Sequence, residues 1–293
     1  MKKVFSVFLV ILMISTSLTV CKGIAKKEDN ADGEYIYLPK YKWHSQENSG
    51  GYHRESIYKY EYDDYGNVIK ETEYTDGRIF NIRERTFDTT YNYDENGRIL
   101  KEFVRTEDFC TSITDGHNVY TETFDYIYNE KQQLIKKQNI SINGVEDTYC
   151  FYGYEYDEQG NVVKAIEYNG DAEKNCEYVY TYDSQNKLIE KVKTFHFMGK
   201  ASPYEETDFT YNEKGQIDYY KIRFYNSSDY YEVYCYYDEL NRLVKEEKTR
   251  YDSNGNILDK YISKYKKFIK IKKEDSRRFQ EKEVPVVGSM IMG

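Results

Sequence analysis

The residues of this chain best placed to do chemistry are acids at turns: "DDYGN" (63–67), "DENGR" (94–98) and "DSNGNILD" (252–259) each crowd carboxylates and amides together. Hard oxygen ligands of this kind suit calcium. An EF-hand-type loop, however, needs oxygens at alternating positions and a bidentate Glu at its end, and none of these turns supplies them. Turn chemistry accounts for the acids without an ion, so no metal site is assigned. His44, His53, His117 and His196 are scattered singly and no Cys-x-x-Cys spacing occurs, which argues against structural zinc and thiol redox chemistry. There is no Gly-x-Ser-x-Gly elbow, P-loop or His-Glu-x-x-His pair. With 51 acids a glycosidase-like carboxylate pair is available by numbers alone, but nothing selects one. No catalytic residue and no cofactor are assigned.

Binding chemistry is better represented. The chain holds 35 Tyr, 14 Phe and one Trp, and exposed aromatic strips stack sugar rings or partner side chains. Regularly repeated tyrosines read first as the packed face of a sheet. The candidate binding strip is therefore the set outside the regular pattern: Tyr35, Tyr37, Tyr41 and Trp43. A formal net charge of -9 argues against nucleic acid, whose affinity comes from Lys and Arg releasing counterions. The local exception, "SKYKKFIKIKK" (263–273), reads as a lysine-guarded edge strand, with an anionic-surface contact as the sharper alternative.

These groups must be positioned by extended chain. Abundant Tyr and Phe with only three Pro favour uninterrupted strands. Aligning on tyrosine gives "YEYDDYGNVIK" (60–70), "YNYDENGRILK" (91–101), "YIYNEKQQLIK" (126–136), "YEYDEQGNVVK" (154–164), "YTYDSQNKLIE" (180–190), "FTYNEKGQIDY" (209–219) and "CYYDELNRLVK" (235–245). The seven anchors are Tyr62, Tyr93, Tyr128, Tyr156, Tyr182, Tyr211 and Tyr237, spaced 26 to 35 residues apart, the mark of a repeat protein.

Each copy fits a hairpin built on a type I turn and a G1 bulge. Asp63 occupies the turn's first position and Gly66 its left-handed corner, where Asn186 and Asn241 substitute and Gln133 is the odd one out. Tyr62 then lies opposite Val68, and continuing the register pairs Tyr60 with Lys70, Tyr91 with Lys101, Tyr126 with Lys136 and Tyr154 with Lys164. Second turns at "TDGR" (75–78), "NGVED" (143–147), "NGD" (169–171) and "SNGN" (253–256) give two strands per copy. The fold class is all-β: an antiparallel meander of hairpin repeats forming one twisted and curled sheet, a spiral or open shell of about fifteen strands.

Cys110, Cys150, Cys176 and Cys235 are available for disulfides in an exported protein, with pairing undetermined. Cys150 and Cys176 occupy equivalent places in adjacent copies, roughly 10 Å apart in a meander, beyond the reach of a disulfide. Residues 1–21 read as a signal segment: Lys2 and Lys3, an apolar run, then "LTVC", which is similar to a bacterial lipobox ending at Cys21 but carries Val20 where a small residue is expected. Cleavage near Ala25 with secretion is the alternative. Residues 22–33 form a polar tether, 34–273 the repeat domain, and 274–293 a charged tail with an apolar end.

The motif Tyr-x-Tyr-Asp-x-x-Gly resembles the YD repeat of the RHS family of secreted bacterial proteins and of the teneurins, over roughly residues 58–262. That resemblance implies a spiralling β-sheet able to enclose a toxin cargo, although no cargo domain follows. Together with the lipobox-like segment, the array is similar to small surface lipoproteins. The expected function is an exported, lipid-anchored, non-enzymatic binding or scaffolding module facing outward, with cell-wall glycan or a surface protein as partner. A glycan-acting cell-wall enzyme and an RHS-like shell for a partner toxin are the alternatives.

Overall fold

The repeat turns close as their residue types require. Asp63 N–H donates to Asn67 O at 2.9 Å and Gly66 N–H to Asp63 O at 3.1 Å. The Asp63 carboxylate accepts from the Tyr65 and Asn67 amides at 3.0 and 2.8 Å. Gly66 has φ 87°, and Asn186 and Asn241 take the same left-handed corner at 59° and 58°. In the third copy that corner is Gln132, at φ 68°, rather than Gln133. Its N–H closes the turn on Asn129 O at 3.0 Å, whereas Gln133 already belongs to the returning arm.

A computed structural model of the protein describes residues 35–76, 83–110 and 116–272. The signal segment with Cys21, the tether at 22–33, the tail from 274 and part of the "TDGR" turn lie outside the described residues, as do the side chains of Tyr35 and Cys110. The strands are β1 (Tyr35–Asn48), β2 (His53–Tyr62), β3 (Val68–Asp76), β4 (Arg83–Tyr93), β5 (Ile99–Cys110), β6 (Gly116–Tyr128), β7 (Leu134–Ile142) and β8 (Val145–Tyr156), followed by β9 (Val162–Asn169), β10 (Lys174–Tyr182), β11 (Leu188–Phe197), β12 (Lys200–Tyr211), β13 (Ile217–Phe224), β14 (Tyr230–Tyr237), β15 (Leu243–Tyr251) and β16 (Ile257–Lys272).

Each strand pairs antiparallel with its chain neighbours, and β1 pairs with β16 from Tyr35 opposite Lys272 to Asn48 opposite Asp259. The meander is as expected, but it closes into a sixteen-stranded barrel instead of an open shell or spiral. A twisted sheet this wide coils until its ends approach, and joining them satisfies two rows of backbone groups that an open sheet leaves bare. Within the lysine-rich run 263–273, Ser263 and Lys264 are bonded on both sides, whereas residues 265–272 pair with β1 alone, so the expected edge persists over that part of the strand.

The seven repeat turns, with the start of β1 and the end of β16, share one end of the barrel, here called the tyrosine rim. The far rim carries the second turns. Asn143 and Gly144 form a two-residue turn with φ 52° and 76°. "SNGN" closes as an eighth copy of the repeat turn, with Asp252 N–H on Asn256 O at 2.9 Å and Gly255 at φ 83°.

Every repeat hairpin also slips at its anchor tyrosine. Tyr62 faces Val68 as expected, but Glu61 then faces Lys70 and Tyr60 faces Glu71. Likewise Tyr91 faces Glu102, Tyr126 faces Lys137 and Tyr154 faces Ala165, so none of the four expected Tyr–Lys pairs forms. The cause is one extra residue, Ile69 in the first copy, bulged out of the ladder just after the aliphatic. The displaced lysines lie on the opposite face, where Lys70, Lys101 and Lys164 meet Asp88, Asp125 and Glu155 at 3.6, 3.3 and 3.8 Å.

The inner face carries the anchors, and their hydroxyls tie each copy to the one before. Tyr128, Tyr156, Tyr182, Tyr211 and Tyr237 donate to the backbone carbonyls of Ile99, Leu134, Val162, Leu188 and Ile217 at 2.6 to 2.9 Å. Tyr93 differs: its hydroxyl donates to the Asp63 carboxylate and accepts from the Asn67 amide, while Tyr91 takes Val68 O at 3.0 Å. Two clusters pack beneath this lacing, Val162, Ala165, Cys176, Tyr178 and Tyr180 in one and Ile99, Phe124, Tyr126 and Leu134 in the other. Cys150 on β8 and Cys176 on β10 are free thiols separated by β9, as a meander requires, and Cys235 is buried on β14.

The outer wall is built for water. Arg105 lies 3.8 Å from Asp88 and 2.7 Å from Glu107, Arg223 lies 3.0 Å from Glu206, and Lys221 lies 3.7 Å from Glu232. A charge on the lipid face of a membrane barrel costs about 2–4 kcal/mol at mid-depth for Arg or Lys. These charged pairs stand on β4, β5 and β12–β14, while Ile57, Phe103, Val119 and Val179 are exposed apolar side chains.

Candidate functional site

The bulge in six of the seven repeat hairpins sets a second aliphatic beside the first, and at the tyrosine rim Ile135 and Val163 each floor a cleft between successive turns. One cleft of about 450 Å³ is lined by Asn129, Lys131 and Ile135 of the third copy and by Tyr154, Tyr156 and Asp157 of the fourth, with Glu130 and Gln133 beside them. A second of about 490 Å³ is lined by Asp157, Gln159 and Val163 of the fourth copy and by Tyr180, Tyr182 and Asp183 of the fifth, with Ser184 and Asn186 at its lip. The six principal positions correspond one for one, so the second cleft is the first moved along by one repeat. Asp157 is shared between them.

The turns hold these clefts rigidly. The Asp157 carboxylate accepts from the Asn161 backbone and side-chain amides, both at 2.8 Å; burial, the largest single effect, raises its pKa, but these bonds together with those from the Gln159 and Gly160 backbone outweigh it and hold it below the usual range. Asn161 also reaches Asn186 of the next turn at 3.3 Å. Elsewhere on the rim the equivalent residues Arg98 and Lys187 lie over the next anchor rings, Tyr128 and Tyr211, each at 5.1 Å. The acids at turn position one, suggestive of calcium in the sequence, spend their oxygens on their own backbone.

The inner face holds polar groups that the sequence did not single out. Lys137 Nζ lies 2.8 Å from Glu102 Oε2, which also accepts from the Tyr126 hydroxyl at 2.6 Å. Burial opposes the lysine's charge, and the Glu102 carboxylate outweighs it. Glu71 is pushed up to about 8, chiefly by burial and partly by Glu73, although Lys42 opposes the shift. Burial drives His44 down to about 3, aided by Lys42, Lys248 and Arg54, so that imidazole is neutral. Burial likewise lowers Lys248 to about 8, with its Nζ 4.0 Å from the centre of the Tyr231 ring. One signal was available for this face: once the bulge is counted, alternation in "KETEY", "KEFV" and "KKQN" turns Glu71, Glu102 and Lys137 inward.

The expected aromatic strip lies along the closing seam. Tyr37, Tyr41 and Trp43 on β1 each sit under a lysine of β16, Lys270 at 5.7 Å, Lys267 at 4.8 Å and Lys264 at 4.9 Å. Their rings are half-buried and engaged within the chain. Three carboxylates, Glu190, Glu206 and Asp208, bring oxygens within 4.8 Å of one another on the outer wall. Arg223 contacts both Glu206 and Asp208, and Thr181 donates to Glu190 at 3.0 Å, so each carboxylate is already bonded within the chain and one arginine offsets part of their charge.

No known family's sequence profile matches this chain, and no curated protein matches it. Among solved structures it is similar to a porin-like protein from Bacteroides uniformis, with 10% identity and a TM-score of 0.47 over 78% of this chain and 97% of that one. A porin-like protein from Bacteroides vulgatus follows at 12% identity and a TM-score of 0.31, covering 76% and 97%. A protein of unknown function from Bacteroides fragilis has 12% identity and a TM-score of 0.17, covering 60% and 92%.

Proposed function

We propose that this chain is an exported, lipid-anchored, non-enzymatic repeat protein that acts as a cell-surface binding or scaffolding module. The observation that supports the reading best is the pair of equivalent clefts in successive copies, a feature repeated along the rim. The charged outer wall agrees with a barrel standing in water beside the membrane, attached through a lipid on Cys21. Because β1 begins at the tyrosine rim, residues 22–34 would join the anchor to the same end as the clefts, and thirteen residues reach up to about 45 Å when extended.

Two measurements test this. Palmitate labelling of cells expressing the protein is expected to disappear in Cys21→Ala, with the protein released to the medium. Labelling that persists in the variant removes the anchor. The purified full chain is also expected to be retained by cell-wall glycan or intact cells, and a chain that captures neither is not a binding module.

A further inference from the structure

We propose that the tyrosine rim binds a neutral polysaccharide chain, with one subsite per repeat. The inference rests on the binding-module reading and names the ligand class for that surface. Its first support is the repetition itself: Asn129, Lys131, Ile135, Tyr154, Tyr156 and Asp157 in one cleft correspond to Asp157, Gln159, Val163, Tyr180, Tyr182 and Asp183 in the next. Adjacent clefts are two strands apart, roughly 10 Å, which is about the length of a disaccharide. A surface repeating at that pitch matches a ligand that repeats as well.

The lining selects the chemistry. Each cleft has one aliphatic and one half-buried anchor tyrosine, Ile135 with Tyr156 and Val163 with Tyr182, as an apolar floor for the C–H face of a sugar ring, backed by a second tyrosine that in Tyr180 is only 3% exposed. Around that floor stand amides, acids and a hydroxyl, among them Gln133, Gln159, Ser184 and Asn186, which suit a ligand rich in hydroxyls. Glu130, Asp157 and Asp183 face a single lysine, Lys131, and the chain carries a net -9, so an anionic polymer is repelled. An extended peptide is disfavoured for a separate reason. Around the clefts each strand is bonded on both sides, so the barrel wall there offers no edge for a peptide backbone to join.

The sequence sets the extent of the track. The bulged aliphatic is Ile69, Leu100, Ile135, Val163 and Ile189 in copies one to five. Leu100, Ile135 and Ile189 are 42%, 38% and 38% exposed, so these bulged aliphatics are open to solvent. The pattern decays in the sixth step, where Asp218 replaces the aliphatic and Cys235 the first tyrosine.

The test is a length series of neutral cello- and chito-oligosaccharides, from two to eight sugars, titrated against the full chain. Affinity is expected to rise at least about tenfold between the disaccharide and the tetrasaccharide as the second cleft engages the same chain. Lys131→Trp and Gln159→Trp, at exposed turn corners, fill the clefts without touching the core and are expected to abolish that rise while thermal unfolding is unchanged. Trp43→Ala, on the seam, is expected to leave the rise intact. Retention on cell wall with no dependence on oligosaccharide length, or with full binding in the two tryptophan variants, overturns the subsite inference and leaves the module reading standing. Preference for uronic-acid polymers, or displacement by a peptide of residues 284–293, also overturns it. Failure to retain any glycan or cell surface removes both.

Discussion

Glu122 shows how single side chains set the conditions under which this barrel is stable. It faces inward on β6, is 8% exposed, and accepts a hydrogen bond from the Asn139 amide at 2.8 Å. Burial pushes its pKa up to about 7; Asn139 and Lys137 oppose the shift and Glu102 adds to it. The unfolded carboxyl titrates near 4.5, so folding favours the protonated form. That contribution is complete below the unfolded value and is lost as pH rises through about 7. The shift corresponds to roughly 3 kcal/mol at most. Urea unfolding of the native chain is therefore expected to show stability falling between about pH 4.5 and 7. In Glu122→Gln, which keeps the Asn139 bond without the charge, part of that fall disappears. An identical pH profile in the variant would show that Glu122 ionises normally in the folded state.

At the scale of the element, the hairpin was legible because its chemistry is local. Asp63, Gly66 and the pairing of Tyr62 with Val68 follow from a few dihedrals and one carboxylate, and all appear as read. The bulge one residue further on was not legible as a register, because only the whole ladder decides where an extra residue is absorbed. Its trace was present in the doubled aliphatics of "NVIK", "RILK" and "NVVK", which break strand alternation. The clefts went unread for the same reason, since their floor is the bulged residue. The tyrosine hydroxyls were missed too, although their bonds explain why the seven anchors are Tyr and not Phe: six reach the preceding copy and Tyr62 reaches Pro39 O on β1.

The element scale also makes a prediction. Gln132 holds a left-handed corner at φ 68°, where a side chain costs about 1–2 kcal/mol relative to glycine. Gln132→Gly is expected to raise stability by about 1 kcal/mol, and Gly160→Gln, at φ 87° in the next copy, to lower it by a similar amount. A urea midpoint unmoved by either change would mean these corners are not held in that conformation in solution.

The whole molecule depends on one junction that no local motif announces. Fifteen of the sixteen strand pairings join chain neighbours, while β1 and β16 meet across more than 200 residues of sequence. Nothing in "YIYLPKYKW" or "SKYKKFIKIKK" names the other. The lysines taken for edge protection instead lie over the aromatics taken for a binding strip, at Lys264 and Trp43 and at Lys267 and Tyr41. This seam distinguishes a barrel from a spiral, and native-state hydrogen exchange can read it without altering the chain. In a barrel, the amides of residues 41–47 and 259–264 are bonded as the middle strands are, so they are expected to be protected as strongly as β7 and β8. In a spiral both segments are sheet edges, with alternate amides exposed to solvent and exchanging within the earliest time points. Fast alternate exchange along β1 and β16 would open the barrel. With strand edges exposed, it would also restore the peptide ligands that closure disfavours.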